Sequence, residues 1–161
     1  MKRFVKAAVI SATLAAAAAL PTSCTWMEDY FKTGTDTGKE PEIPYDEVLS
    51  VEELLAGSFV GDTVWVRGFI VGGLTSDGVI DFECLGDLLA NAVVLADEPD
   101  CTESDDCLVL QLTKKAHREV FSPDLANFRS KILHQQLFVQ GKVTTYKRIP
   151  ALTNICQYKL E

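Results

Sequence analysis

The sequence predicts an all-β domain with short helices, its five strands arranged as a small closed barrel. Three observations carry this. Runs of alternating or continuous apolar residues are separated by segments rich in Gly, Asp, Ser and Pro, the pattern of strands joined by loops. Two of those runs are long and hold a central glycine, Val66-Arg67-Gly68-Phe69-Ile70 and Val139-Gln140-Gly141-Lys142-Val143. Tight closure bends strands sharply, and glycine supplies the bend. The composition, 47% apolar and 24% charged over 161 residues, excludes a wholly disordered chain and a multi-span membrane protein.

Taken in order, Ser50-Val51-Glu52-Glu53 is a capping box, a hydroxyl followed three residues later by a carboxylate, and Gly57 can end the turn it starts. This predicts a helix over 50–56. Strands follow at 63–71, where Val64, Val66 and Ile70 alternate with Trp65, Arg67 and Phe69 and where Gly68 suggests a bulge, and then at 92–96 and 107–112. After a turn of helix over 114–120, Ser122 as cap and Pro123 in the first turn introduce a helix carrying Leu125, Phe128, Ile132 and Leu133 at helical spacing. The last strands are 136–146 and 151–160. Strand, strand, strand, helix, strand, strand is the order of the OB-fold, a five-stranded Greek-key barrel.

The first segment reads as an address. Lys2, Arg3 and Lys6 precede an uncharged run over 7–20, too short to span a bilayer and right for a signal peptide. Pro21-Thr22-Ser23-Cys24 resembles the lipobox of bacterial lipoproteins, although Leu20 stands one residue early. The resemblance implies a signal peptide over 1–23, lipidation of Cys24 and a durable anchor, since each buried methylene contributes roughly 0.8 kcal/mol and such proteins carry several acyl chains. Residues 24–45 read as a flexible tether reaching roughly 25 Å, with the folded domain over 46–161. The expected location is the cell envelope, either at the periplasmic face of the outer membrane or at the cell surface.

Residues 48–161 resemble a family of OB-fold domains of unknown function in secreted and lipid-anchored proteins of Gram-negative gut bacteria. The matching pieces are Ser50 to Leu54, Val64 to Gly72, Asn91 to Asp97, Val109 to Leu112, Phe138 to Val143, Tyr146, Pro150 to Leu152 and Tyr158 to Leu160. The chain departs at Ala151, where the family pattern has glycine, and in a longer 73–90 stretch. The resemblance transfers no catalytic motif, and some relatives sit beside nuclease-like domains.

Charge is unevenly placed. The whole chain has 15 basic and 23 acidic residues, a net charge of -8, which disfavours a globally basic nucleic-acid binder. Residues 24–106 carry -17 and residues 107–161 carry +6. OB-folds bind ligands across strands 2–3 and in the loops joining strands 1 to 2 and 4 to 5. In the latter loop Tyr146, Lys147 and Arg148 place an aromatic ring beside two cations, a stacking and phosphate site or a solvated loop. Trp65, Arg67 and Phe69 share one strand face, as a ligand platform or as packing under a neighbouring segment.

In an oxidising compartment Cys84, Cys101, Cys107 and Cys156 allow three pairings. Cys101 and Cys107 flank five residues and make the best loop-closing pair, leaving Cys84 and Cys156. Their spacing does not suit zinc. The acidic 97–106 loop lacks the calcium-binding pattern, and His117 and His134 sit in no catalytic motif. No metal, cofactor or enzymatic activity is expected. The expected role is a membrane-anchored binding module for a protein or glycan partner. A single-stranded nucleic-acid binder and an accessory domain of a secreted hydrolase or nuclease system are the alternatives.

Overall fold

The computed structural model of the protein describes the backbone of residues 33–35 and all of residues 40–161. The fold is mostly β with a few short helices. The strands are β1 (Thr33–Thr35), β2 (Val48–Leu49), β3 (Thr63–Thr75), β4 (Ile80–Asp81), β5 (Leu88–Ala96), β6 (Leu108–Gln111), β7 (Gln136–Tyr146) and β8 (Ile149–Leu160). There are two α-helices, α1 (Val51–Ala56) and α2 (Lys115–Phe121), and a π turn at Phe128–Ile132 follows α2. The expected signal peptide, Cys24 and most of the expected tether lie outside the described residues.

Five strands close on one another. β3 pairs antiparallel with β5, β5 with β6, and β7 with both β8 and β3. β6 and β8 run parallel and complete the circuit. The short strands dock onto it: β1 on β8, β2 parallel to β3, and β4 on β3. β1 lies within the segment read as a tether, and Tyr45 packs edge-on against Phe138 at 5.6 Å. The chain is therefore tied down before the expected domain boundary.

The strands bury both faces. On β5, Val93 and Leu95 join one core cluster with Val66, Ile70, Leu108, Leu110 and Val139. The intervening Ala92, Val94 and Ala96 join a second cluster with Val71, Leu74 and Val109. Period two puts alternate side chains on opposite faces, so the continuous apolar run over 92–96 reflects burial on both. Phe121 of α2, with Phe128 and Ile132 of the π turn, plugs the first cluster, and Phe121 meets Tyr158 edge-on at 4.8 Å.

Two local expectations change. The regular helix between β6 and β7 is 115–121, and Ser122 ends it with its N–H on the Arg118 carbonyl. The Ser122 hydroxyl accepts from Asp124 N, which makes a local turn in place of the expected helix cap. The β3–β7 register runs straight through Gly68, and the irregularities of β3 sit around Gly72 and Gly73, against β5. Gly68 instead admits the Ala96 carbonyl and the Val51 side chain, each 3.0 Å from where a Cβ would stand. Gly141 does mark a shift, opposite β8, where Asn154 takes a left-handed φ of 51°.

Helix α1 is fixed at its start by two devices. The capping box forms, with the Ser50 hydroxyl accepting from Glu53 N and the Glu53 carboxylate accepting from Ser50 N. The Asp97 carboxylate, beyond the end of β5, also accepts from Val51 N and Glu52 N at 2.9 and 2.8 Å. A helix start exposes unpaired N–H groups, and here a carboxylate 46 residues away takes two of them.

Candidate functional site

In OB-folds, the expectation from the sequence, ligands lie across the face of the second and third strands. Here those strands are β5 and β6, and that face is covered. Ala92, Val94, Ala96 and Val109 are each 0% exposed. The cover is made by Ile80 and Phe82, by Cys101 and Cys107 of the β5–β6 loop, and by Tyr146 and Ile149.

The 80–87 segment forms a strap across β3. A Cβ at Gly72 would stand 2.6 Å from the Asp81 carbonyl oxygen and 3.1 Å from Phe82 Cα, so backbone lies on backbone. Asp81 organises the turn that follows. Its Oδ1 accepts from Glu83 N and Cys84 N, and its Oδ2 from Leu85 N and Gly86 N at 3.0 and 2.7 Å. Burial alone would raise the pKa of this carboxyl, but the four N–H donors together hold it below the ordinary 3.8.

One cleft that stays open, of about 320 Å³, lies at the rim. Its walls are the β3–β4 turn (Gly78, Val79, Ile80), the 104–107 turn (Ser104, Asp105, Cys107) and the β7–β8 turn (Arg148, Ile149, Pro150). Val79 is 62% exposed. Tyr146 pairs with Ile149 across the last turn, leaving Lys147 and Arg148 as its two tip residues, with φ of 49° and 71°. A two-residue hairpin turn with both φ positive normally takes Asn-Gly, because larger side chains are strained there. Two long cationic side chains hold those positions instead. Lys147 Nζ donates to the Ser76 carbonyl at 2.6 Å, which joins the β7–β8 turn to the β3–β4 turn.

The candidate residues separate into two places. Tyr146, Lys147 and Arg148 lie at the rim, with Tyr146 half-buried against the second cluster and Arg148 exposed. On β3, Trp65 is 6% exposed and offers no open ring face for stacking. Phe69 is half-buried against the second cluster. Arg67 is exposed and lines a separate polar cleft with Ser50, Glu52, Asp97 and Gln136. The three do not form an open platform.

Cys84, Cys101, Cys107 and Cys156 are thiols in this structure. Cys101 and Cys107 come together on one carbonyl, that of Glu103, while Cys84 donates to Asp81 O and Cys156 to Asn154 O. Among the described residues no group of three or more His, Cys, Asp or Glu side chains is arranged to hold a metal ion. Residue-by-residue reading of the sequence misses the strap and the rim partners Ser76, Gly78, Val79 and Asp105. The Asp77-Gly78 pair between apolar residues is the turn signal that marks the place.

A family model described as a domain of unknown function (DUF6359) matches residues 49–161. No curated protein matches the chain significantly. Among solved structures that match is a crystal structure of a protein assigned as an aspartyl-tRNA synthetase from Leishmania major Friedlin, 14% identical, with a TM-score of 0.42. The match covers 76% of this chain and 22% of that one, so it spans under a quarter of that protein's length.

Proposed function

The chain belongs to the DUF6359 family, and on that premise we propose that it is a lipid-anchored binding module of the bacterial cell envelope, built on an OB-fold-like Greek-key barrel, that grips a polypeptide partner at its rim cleft. The barrel reading is supported by the five-strand circuit and by its parallel β6–β8 closure. The anchor rests on Cys24 and the segment before it.

One observation carries the choice of rim over sheet. The β5–β6 face on which an extended oligomer would lie is 0% exposed at Ala92, Val94, Ala96 and Val109. Binding of single-stranded nucleic acid uses a basic groove with open aromatic rings. In this chain Trp65 is buried, Tyr146 is half-buried, and the Lys147 ammonium is engaged with Ser76. The rim cleft sets one exposed guanidinium among Val79, Ile80, Ile149 and Pro150. Apolar contact around an arginine is the composition of a protein-binding hot spot. The role is recognition without turnover.

The test separates polypeptide from nucleic acid. The full-length protein is titrated against a labelled single-stranded oligonucleotide of mixed sequence at low and at high salt. A flat titration at both supports the reading. Saturable binding that weakens steeply with salt and is lost in Arg148→Ala overturns it, because such salt dependence reports phosphate contacts.

A further inference from the structure

Cys101 and Cys107 stand in a relation the other described cysteines lack. The β5–β6 loop folds back through the 104–106 turn, with Asp106 N on the Glu103 carbonyl and Cys107 N on the Ser104 carbonyl. Both thiols then donate to the Glu103 carbonyl, Cys101 Sγ at 3.6 Å and Cys107 Sγ at 3.2 Å, so one acceptor atom gathers both sulfurs. Cys107 belongs to the second core cluster and Cys101 packs against it. Access to them differs. Cys107 is 1% exposed, whereas Cys101 is half-buried and reaches solvent through two surface clefts, one beside Glu52 and Leu55 and one beside Phe82 and Arg129.

We propose that Cys101 and Cys107 are an ordered dithiol, which an external disulfide oxidises in two steps to an intramolecular disulfide that staples the 104–107 wall of the rim cleft. The oxidant is a disulfide-bearing protein or a small-molecule disulfide of the export compartment. In the first step Cys101 loses its proton and its sulfur attacks one sulfur of the oxidant. The oxidant's S–S bond breaks, one of its sulfurs leaves with the electron pair as a thiolate, and a mixed disulfide remains on Cys101. In the second step Cys107 loses its proton and attacks Cys101 Sγ, expelling the oxidant's other sulfur as a thiolate. Two protein thiols are oxidised, and one disulfide is reduced to two thiols.

The order follows from access. Cys107, 1% exposed, meets its half-buried neighbour Cys101 more readily than an external disulfide. Burial, then the adjacent Cys101 thiol and Asp106, push the Cys107 thiol up to about 12, so little of it is a nucleophilic thiolate and it competes poorly for an external oxidant, whereas a mixed disulfide on Cys101 is held beside it. The proposal is independent of which partner the rim binds.

The full chain is treated with oxidised glutathione, quenched by alkylation and mapped by mass spectrometry. The expected product has lost two hydrogens and carries its link within the peptide that holds Cys101 and Cys107, with Cys84 and Cys156 alkylated. Cys107→Ser is expected to stop at glutathione on Cys101, and Cys101→Ser to leave Cys107 unmodified. The double variant Cys84→Ser, Cys156→Ser, which leaves the pair intact, is expected to form the link unchanged. Glutathione on Cys107 in the Cys101→Ser variant, a link that includes Cys84 or Cys156, or persistence of all four thiols in the unsubstituted protein would each overturn the proposal.

Discussion

Lys147 holds the β7–β8 turn to the β3–β4 turn through one bond, its ammonium donating to the Ser76 carbonyl across 2.6 Å. The two turns are 71 residues apart in sequence and form facing walls of the same cleft. Lys147→Ala removes the only side-chain bond described between them. Because the site is exposed, global stability is expected to fall by about 1 kcal/mol or less. Hydrogen exchange at Gly78 N and Val79 N, which bond within the β3–β4 turn, is expected to quicken.

Arg148 sits at φ 71°, a conformation that costs a non-glycine residue roughly 1–2 kcal/mol. Arg148→Gly is therefore expected to raise the stability of the fold by about 1 kcal/mol in a urea titration while abolishing partner binding. Lower stability in this variant would mean that the arginine makes a structural contribution the geometry does not reveal.

Gly72 lies beneath the strap. An added Cβ would meet the Asp81 carbonyl oxygen at 2.6 Å, a backbone atom that cannot swing aside. Gly72→Ala is expected to cost about 1–3 kcal/mol, the usual range for overpacking. It is also expected to expose the apolar β5–β6 face, read as increased binding of a hydrophobic dye.

These positions show how far the sequence speaks. The capping box at 50–53 and the strand at 136–146 are local patterns, and the structure keeps both. The alternation around Gly68 is also local, but it cannot say which backbone will approach from the side. Gly68 meets the Ala96 carbonyl, and the bulges fall a few residues on, at Gly72 and Gly73. The run over 92–96 announces a strand buried on both faces without naming the 80–87 strap that buries the outer one. That cover depends on contacts between segments, and no periodicity records it. For the same reason Trp65, Arg67 and Phe69 share a strand yet differ in exposure.

Asp81 ties the strap to acid conditions. Its folded pKa lies below 3.8, so the fold favours the ionised carboxylate. The stability this contributes is whole above about pH 3.8 and drains as the pH falls through the folded value. Exchange at Leu85 N and Gly86 N is expected to accelerate below that pH before the core opens. Asp81→Asn keeps an acceptor for Glu83 N and Cys84 N but loses the second carboxylate oxygen. It is expected to cost roughly 1–3 kcal/mol and to abolish the acid step.

The central claim, that a polypeptide is gripped at the rim, is tested most directly by photo-cross-linking from position 79 in the full-length protein within its native envelope. The expected result is a discrete protein adduct, identified by mass spectrometry, that disappears with Arg148→Glu and does not form from a probe at position 52, beside α1. A glycan or nucleic-acid adduct, no adduct at all, or a protein adduct indifferent to Arg148 would contradict the claim.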